Sequence, residues 1–456
     1  MREYEEILSR QRAYFCEGHT RSLSFRLRQL SLLQNALHAC EPALLEALQA
    51  DLGKAPFEGY ETELGLLLEE LRFAKKNLAS WMKPVRVRTS LLHAPSKSVI
   101  VKEPLGVVLI LSPWNYPLQL TIAPLIAALA AGNCAVVKPS RYAPKTAAVM
   151  EKMLASCFPS ELVCVVQGGR EENEALLSLR FDHIFFTGSP RVGRVVMRAA
   201  AEHLTPVTLE LGGKSPCLLD ETADLAVAAR RIAWGKSLNA GQTCVAPDYL
   251  LVPAAMMGAF AKAFRKAVRR FYGDDPVHNP EYPCIVTDRH FERLSGLMEN
   301  GRVLYGGRVD ADLRKIEPTL LTGVTLESPV MQEEIFGPLL PVLPYKSVEE
   351  AFGIIARLEK PLAFYLFTKD KALAKRALLE VPFGGGCIND TVIHLSNPRL
   401  PFGGVGESGM GAYHGKKGFD TLTHEKSVLI HSAKLDIPFR YPPYKDKLGM
   451  LKKLMK

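Results

Sequence analysis

Residues 107–138 read VVLILSPWNYPLQLTIAPLIAALAAGNCAVVK, and this stretch decides the fold. Val107 to Leu111 reads as a strand and Ala135 to Lys138 as a second one. Between them the apolar run Leu118 to Ala131, interrupted by Gln119, Thr121 and Pro124, is too short to cross a bilayer and reads as a buried helix. The alternation continues with a helix over Pro144 to Cys157 and strands over Val163 to Val166 and His183 to Thr187. Strands and helices in this order imply an α/β fold with a doubly wound parallel sheet.

Upstream, Leu23, Leu27, Leu30, Leu33 and Leu37 have helical spacing with charged faces, and the same character returns from Glu61 to Met82. Lys83 to Glu103 changes period. Val85 and Val87, then Val99 and Val101, alternate around a loop containing Pro95, which predicts a protruding hairpin. The chain of 456 residues exceeds one compact core, so two domains are expected.

Composition fits a soluble enzyme. The net charge of +9 is modest for this length and not clustered, so no nucleic-acid partner is expected. The nine cysteines are scattered and odd in number, which fits neither a disulfide framework nor a zinc site, and no metal is expected. A reducing cytoplasm is the simplest setting. The N-terminus Met1-Arg2-Glu3-Tyr4-Glu5-Glu6 carries charge where an export signal needs an apolar core.

Two segments carry chemistry. Gly241-Gln242-Thr243-Cys244 supplies a candidate nucleophile: a thiolate adds readily to a carbonyl carbon when neighbouring dipoles lower its pKa. Leu209-Glu210-Leu211-Gly212-Gly213 supplies a candidate base. The run Thr208 to Leu211 reads as a strand end broken by the glycine pair, which leaves Glu210 near the carboxyl edge of a sheet, where ligands of open α/β folds bind. Alone, a Cys beside small residues such as Cys244 reads more often as a buried packing group, and the alternative for Glu210 is a capping or ion-paired carboxylate.

A dinucleotide site is sought at the same edge. No G-x-G-x-x-G follows a strand. Instead His183 to Thr187 runs into Gly188-Ser189-Pro190-Arg191-Val192-Gly193, a strand, a tight turn and a helix start with Pro190 suited to the first turn. Free amides and a helix dipole there can hold pyrophosphate. An ordinary strand-helix turn has the same local sequence.

In these segments the chain resembles the aldehyde dehydrogenase superfamily. Val207 to Pro216 is similar to its general-base signature and Gly241 to Cys244 to its nucleophile signature. Further matches, in the family's order, are Pro113-Trp114-Asn115-Tyr116-Pro117, Lys138-Pro139-Ser140, Phe186-Thr187-Gly188-Ser189, Glu333-Glu334-Ile335-Phe336-Gly337-Pro338 and Pro401-Phe402-Gly403-Gly404. Arg230 to Lys236 and Tyr413 to Lys417 resemble the class 3 branch.

The resemblance implies a cofactor domain over residues 1–82 and 104–211, a second α/β catalytic domain over 212–411, a small β-hairpin oligomerisation element from 83–103 and 412–440, and a basic tail, 441–456. It implies covalent oxidation of an aldehyde to an acid through a thiohemiacetal and a thioester. Cys244 is the implied nucleophile, Glu210 the base that activates water, and Asn115 the oxyanion donor. With Glu210 present, hydrolysis is favoured over transfer to coenzyme A.

NAD or NADP is the implied cofactor, held by Lys138, Ser140, Arg141, Thr187, Gly188, Ser189, Val192, Gly193, Glu334 and Phe336. Many relatives carry a glutamate at the position of Arg141. A guanidinium can bind a 2'-phosphate that a carboxylate would repel, which predicts that NADP is accepted; the alternative is that Arg141 points to solvent.

The class 3 likeness implies medium or long aliphatic or aromatic aldehydes and a homodimer. Thr391-Val392-Ile393-His394-Leu395 is a candidate substrate wall, or equally core between two turns. From Lys434 to Lys456 the chain holds seven Lys/Arg against two Asp, with Leu448, Leu451, Leu454 and Met455 near one helical face. This reads as a solvated or dimer-contacting tail, with weak attachment to an anionic membrane surface as the alternative. Two other classes stay open from residue types alone: a cysteine hydrolase, for which no Cys/His arrangement is visible, and a catalytically silent homologue.

Overall fold

The computed structural model describes residues 2–90, 93–436 and 438–455, without the side chain of Leu454. Strands form at Val107–Leu111, Cys134–Lys138, Val163–Val165, His183–Thr187 and Val207–Glu210. The first, second and fourth are buried along their whole length, as expected where helices cover both faces of a parallel sheet. Between the first two lies the helix Gln119–Ala131, every residue of which is buried. It has no polar face because nothing on it meets water.

Val107–Leu111 lies in the middle of this sheet. Cys134–Lys138 and then Val163–Val165 add on one side, and His183–Thr187 and then Val207–Glu210 on the other, all parallel. In chain order this is 3-2-1-4-5, the doubly wound arrangement, and the order reverses between Val107–Leu111 and His183–Thr187. Gly409–Met410 closes the outer edge antiparallel, with Gly409 opposite Glu210.

A second sheet of seven strands follows from residue 216 onward, in the order Arg302–Tyr305, Thr319–Thr322, Leu339–Tyr345, Tyr249–Pro253, Pro216–Leu219, Ala363–Phe367 and Gly385–Ile388. Only its first pair is antiparallel. Val85–Val87 and Lys97–Pro104 form the hairpin, and Thr423–Ile430 adds to it antiparallel over eight residue pairs. This small sheet leaves Val85, Val87, Val428, Leu429 and Ile430 exposed.

The first helix, Arg2–Cys16, packs on the first sheet, and Leu23–Ala39 packs on the helices Gln119–Ala131 and Pro144–Cys157. In Leu23–Ala39, Leu30, Leu33 and Leu37 are fully buried, each contributing roughly 2 kcal/mol by removal from water. The tail forms a short helix, Leu448–Leu454, with Leu448 and Met455 exposed. The Leu454 side chain and Lys456, both part of the basic-tail reading, lie outside the described residues. Among the described residues no helix is long and apolar enough to cross a membrane.

Candidate active site

The loop after Val107–Leu111 carries Asn115, that after Cys134–Lys138 carries Ser140 and Arg141, and that after His183–Thr187 carries Gly188 and Ser189. Glu210 ends Val207–Glu210. Because the strands are parallel, all of these lie at one carboxyl edge, beside the point where strand order reverses.

Cys244 comes from the other half of the chain. The helix Leu225–Ser237 ends in a tight turn in which Asn239, Ala240 and Gly241 have φ of 51°, 51° and 72°. A Cβ at Gly241 would meet the Gly337 carbonyl at 2.2 Å, so only glycine fits and Gly337 lies directly against this turn. Gln242 plugs it from inside: Nε2 donates to the carbonyls of Asn239 (2.9 Å) and Cys284 (3.0 Å), and Oε1 accepts from Val286 N (3.0 Å).

Asn115 is tied to the same turn. Its Nδ2 donates to the Gln242 carbonyl (3.1 Å), and its own carbonyl accepts from Asn239 Nδ2 (2.7 Å). The Tyr116 and Thr243 hydroxyls are 2.6 Å apart. The structure therefore joins Asn115 to the Cys244 segment, which sequence separation concealed.

Glu210 is 2% exposed, and neither carboxyl oxygen has a hydrogen-bond partner among the described residues. Burial raises its pKa well above the usual carboxylate value. The Cys244 thiol is also pushed up, first by burial and then by Glu334 and Glu210; hydrogen bonds from the Cys244 and Val245 backbone only partly oppose this. The condition that neighbouring dipoles lower the thiol pKa is thus not met in the resting protein. Burial and then the two nearby carboxyls outweigh them, which favours the protonated thiol.

Cys244 lines a cavity of about 260 Å³ whose walls are mainly apolar, among them Leu120, Trp234, Leu238, Val392, Ile393, Leu395 and Phe402. Three of the five residues of the predicted wall are there. Thr391 turns away to donate to the Arg231 carbonyl (2.9 Å), and His394 Nδ1 lies 3.7 Å from Cys387 Sγ.

The cofactor candidates spread along the strand ends. Thr187 is buried, and its Oγ1 has no hydrogen-bond partner among the described residues. Ser189 stands at the N-cap of Pro190–Ala201 without capping it through its side chain, so this helix start keeps free N–H groups. A Cβ at Gly188 would meet the Phe186 ring at 2.6 Å, and one at Gly193 would meet Leu211 at 2.9 Å. Val192 is exposed on the same first turn. Lys138, buried, donates to the Gly168 carbonyl (2.6 Å), and burial lowers its pKa.

Ser140 Oγ accepts from Tyr142 N (3.3 Å). Arg141 is exposed, lies over the Tyr142 ring at 5.1 Å and donates to its hydroxyl (3.2 Å). Glu334 rests against Gly212, where a Cβ would meet its Oε2 at 2.1 Å, and burial followed by Asp248 raises its pKa to about 8. Phe336 has a φ of 52° and meets Trp114 edge-on at 5.4 Å. An orphaned hydroxyl, an uncapped helix start, a lysine and an exposed arginine fit an anionic dinucleotide.

Charged groups invisible to sequence reading surround this site. Lys54 and Glu63 are an ion pair with no exposed side-chain surface (2.6 Å), Glu58 accepts from Asn239 N (2.7 Å), and Lys236 is fully buried with its Nζ unpartnered among the described residues. Lys54, Glu58 and Glu63 lie in a stretch whose charges read as a solvated helix face. No signal short of the tertiary packing marks them as internal.

A family model described as the aldehyde dehydrogenase family matches residues 2–428. The 4,4'-diaponeurosporen-aldehyde dehydrogenase of Staphylococcus aureus is 48% identical over 98% of this chain and 97% of its own length. A Rattus norvegicus protein named aldehyde dehydrogenase, dimeric NADP-preferring, is 45% identical over 98% and 99%. A solved structure of Staphylococcus aureus AldH in a substrate-bound state superposes with a TM-score of 0.97 at 48% identity, covering 99% of both chains. The chain belongs to the aldehyde dehydrogenase family, as an oxidoreductase that oxidises aldehydes with NAD or NADP.

Proposed function

We propose that this chain oxidises apolar aldehydes, medium or long aliphatic or aromatic, to carboxylic acids through a covalent intermediate on Cys244. The observation that carries the reading is an apolar cavity that reaches Cys244, with a buried carboxyl, Glu210, acting electrostatically on that thiol and without a hydrogen-bond partner among the described residues. Leu120, Trp234 and Phe402 favour a hydrocarbon chain or ring over a polar one.

Cys244 rests as a thiol, so attack requires a proton acceptor. Glu210, with its raised pKa, serves as that acceptor when ionised. Sγ then adds to the carbonyl carbon to give a thiohemiacetal. Asn115 and the Cys244 backbone N–H hold the oxyanion, each contributing about 3 kcal/mol to transition-state stabilisation. A nicotinamide dinucleotide held by the residues below would supply the acceptor for the hydride lost as the thiohemiacetal becomes a thioester. After passing the thiol proton to solvent, Glu210 takes a proton from the water that hydrolyses the thioester and returns it to the departing Cys244 sulfur, releasing the acid and regenerating the thiol.

The cofactor's phosphates are assigned to the start of Pro190–Ala201, with Gly188, Ser189, Val192 and Gly193, and its ribose groups to Lys138, Ser140 and Glu334. Thr187 and Phe336 are assigned to the nicotinamide end. Arg141 is assigned to a 2'-phosphate, as the NADP-preferring relative encourages. Residues 1–82 and 104–211 are assigned to the cofactor domain, 212–411 to the catalytic domain and 83–103 with 412–440 to the oligomerisation element. The exposed apolar strands of the small sheet serve a homodimer in the cytoplasm, and weak membrane-surface contact is left to the C-terminal helix.

The test is reduced-nucleotide absorbance with a panel of aldehydes of increasing chain length, each with NAD and with NADP. Rising kcat/KM with apolar length supports the reading. A preference for small or charged aldehydes overturns the substrate class.

A further inference from the structure

Lys54 has no role in the chemistry described so far, yet its side chain has no exposed surface. Lysine and glutamate are almost never fully buried unless paired, and an apolar pair of the same volume would fill this space without desolvating two charges. All three ammonium hydrogens have a direction. One meets Glu63 Oε1 at 2.6 Å, one the Asn115 carbonyl at 2.9 Å, and the Tyr116 ring centroid lies 3.9 Å from Nζ.

Glu63 completes the grip. Its Oε2 accepts from Leu118 N (2.9 Å) and Gln119 N (3.1 Å), at the start of the buried helix Gln119–Ala131. The pair therefore holds residues 115–119 at both ends. On its far side the same Asn115 carbonyl accepts from Asn239 Nδ2, while Asn115 Nδ2 donates to the Gln242 carbonyl. One amide hydrogen is thus engaged, and its partner is left for an oxyanion.

We propose that Lys54, paired with Glu63, is a positioning residue: it fixes the Asn115 peptide so that the Asn115 amide faces the carbonyl attacked by Cys244. This rests on the reading of Asn115 as oxyanion donor. Lys54 does not line the cavity at Cys244 and acts on the site through the Asn115 peptide.

The test is a double-mutant cycle on the single-turnover rate of nucleotide reduction. Lys54→Met alone would strand Glu63, so Lys54→Met is combined with Glu63→Gln, which keeps the acceptor for Leu118 N and Gln119 N. The neutral pair is expected to slow the step by at least about tenfold, with aldehyde KM and nucleotide Kd little changed. In an Asn115→Ala background the same pair should cost less than about twofold, because the group it positions is gone.

Should the neutral pair fail to fold, Lys54→Arg, which keeps the charge and moves its donors, carries the same comparison. Losses that multiply in the Asn115→Ala background, or a neutral pair as fast as wild type while Asn115→Ala is slow, would overturn the positioning role. An unimpaired Asn115→Ala enzyme would overturn the oxyanion reading and this inference together.

Discussion

The hydroxyl of Tyr116 lies 2.6 Å from that of Thr243, with both residues buried, so the residue after Asn115 is bonded to the residue before Cys244. The proposed oxyanion donor and nucleophile are thereby held in one frame although they come from different sheets. Tyr116→Phe removes this bond and leaves the Thr243 hydroxyl without it, at a cost of about 1 kcal/mol. The expected result is a roughly fivefold lower kcat with little change in KM, read from steady-state kinetics. An unaltered kcat would show that the two loops keep register without it.

Arg141 is exposed beside Gly169, where a Cβ would meet its Nη1 at 3.1 Å, and its side chain is free to turn from Tyr142 to a ligand. Arg141→Ala is expected to raise the KM for NADP about tenfold while leaving that for NAD within about twofold, the loss of one charge-assisted contact. Equal effects on both cofactors, or none, would place Arg141 outside the 2'-phosphate site.

Val392 lines the cavity with Ile393 and Leu395. Val392→Trp adds bulk to a space of about 260 Å³ and should raise KM for long aliphatic aldehydes much more than for short ones. A uniform loss across chain length would mean that this wall is not where the tail lies.

His183, in the middle of the first sheet, is 3% exposed; burial pushes its pKa down to about 4. A histidine depressed in the folded state binds protons more tightly when unfolded. Its stabilising contribution is present above the unfolded value near 6.5 and is lost as pH falls from there towards 4. Between pH 7 and pH 5 the loss is on the order of 2 kcal/mol. Denaturant unfolding of His183→Gln should show a correspondingly smaller drop over this range; an identical slope would contradict the assignment.

The parallel sheet was legible because each strand from Val107 to Thr187 is short, apolar and separated by a helix or turn signal, and these local rules agree with the tertiary outcome. Cys244 and Glu210 stood out through their glycine neighbours, and Gly241 proves to be required by its φ and by the Gly337 carbonyl. Lys54, Glu58 and Glu63 were not legible. Charges at helical spacing look solvated until packing against Asn115 and Asn239 encloses them. The direction of the Cys244 pKa was equally hidden, since it depends first on burial in the folded chain and then on Glu334, which lies 90 residues along the chain.

Cys244→Ser should abolish turnover and leave nucleotide Kd little changed, because the exchange keeps the side chain's size and Cys244 is not among the residues assigned to the cofactor. Retained turnover would remove it as nucleophile.

The central claim is that Glu210 acts on an acyl group carried by Cys244, and intact-protein mass spectrometry of Glu210→Gln tests it most directly. After mixing with an aliphatic aldehyde and oxidised nucleotide, the variant should accumulate one acyl group per chain, mapped to Cys244, and lose it far more slowly than wild type. A variant that turns over at the wild-type rate, or an acyl group on another residue, would contradict the account.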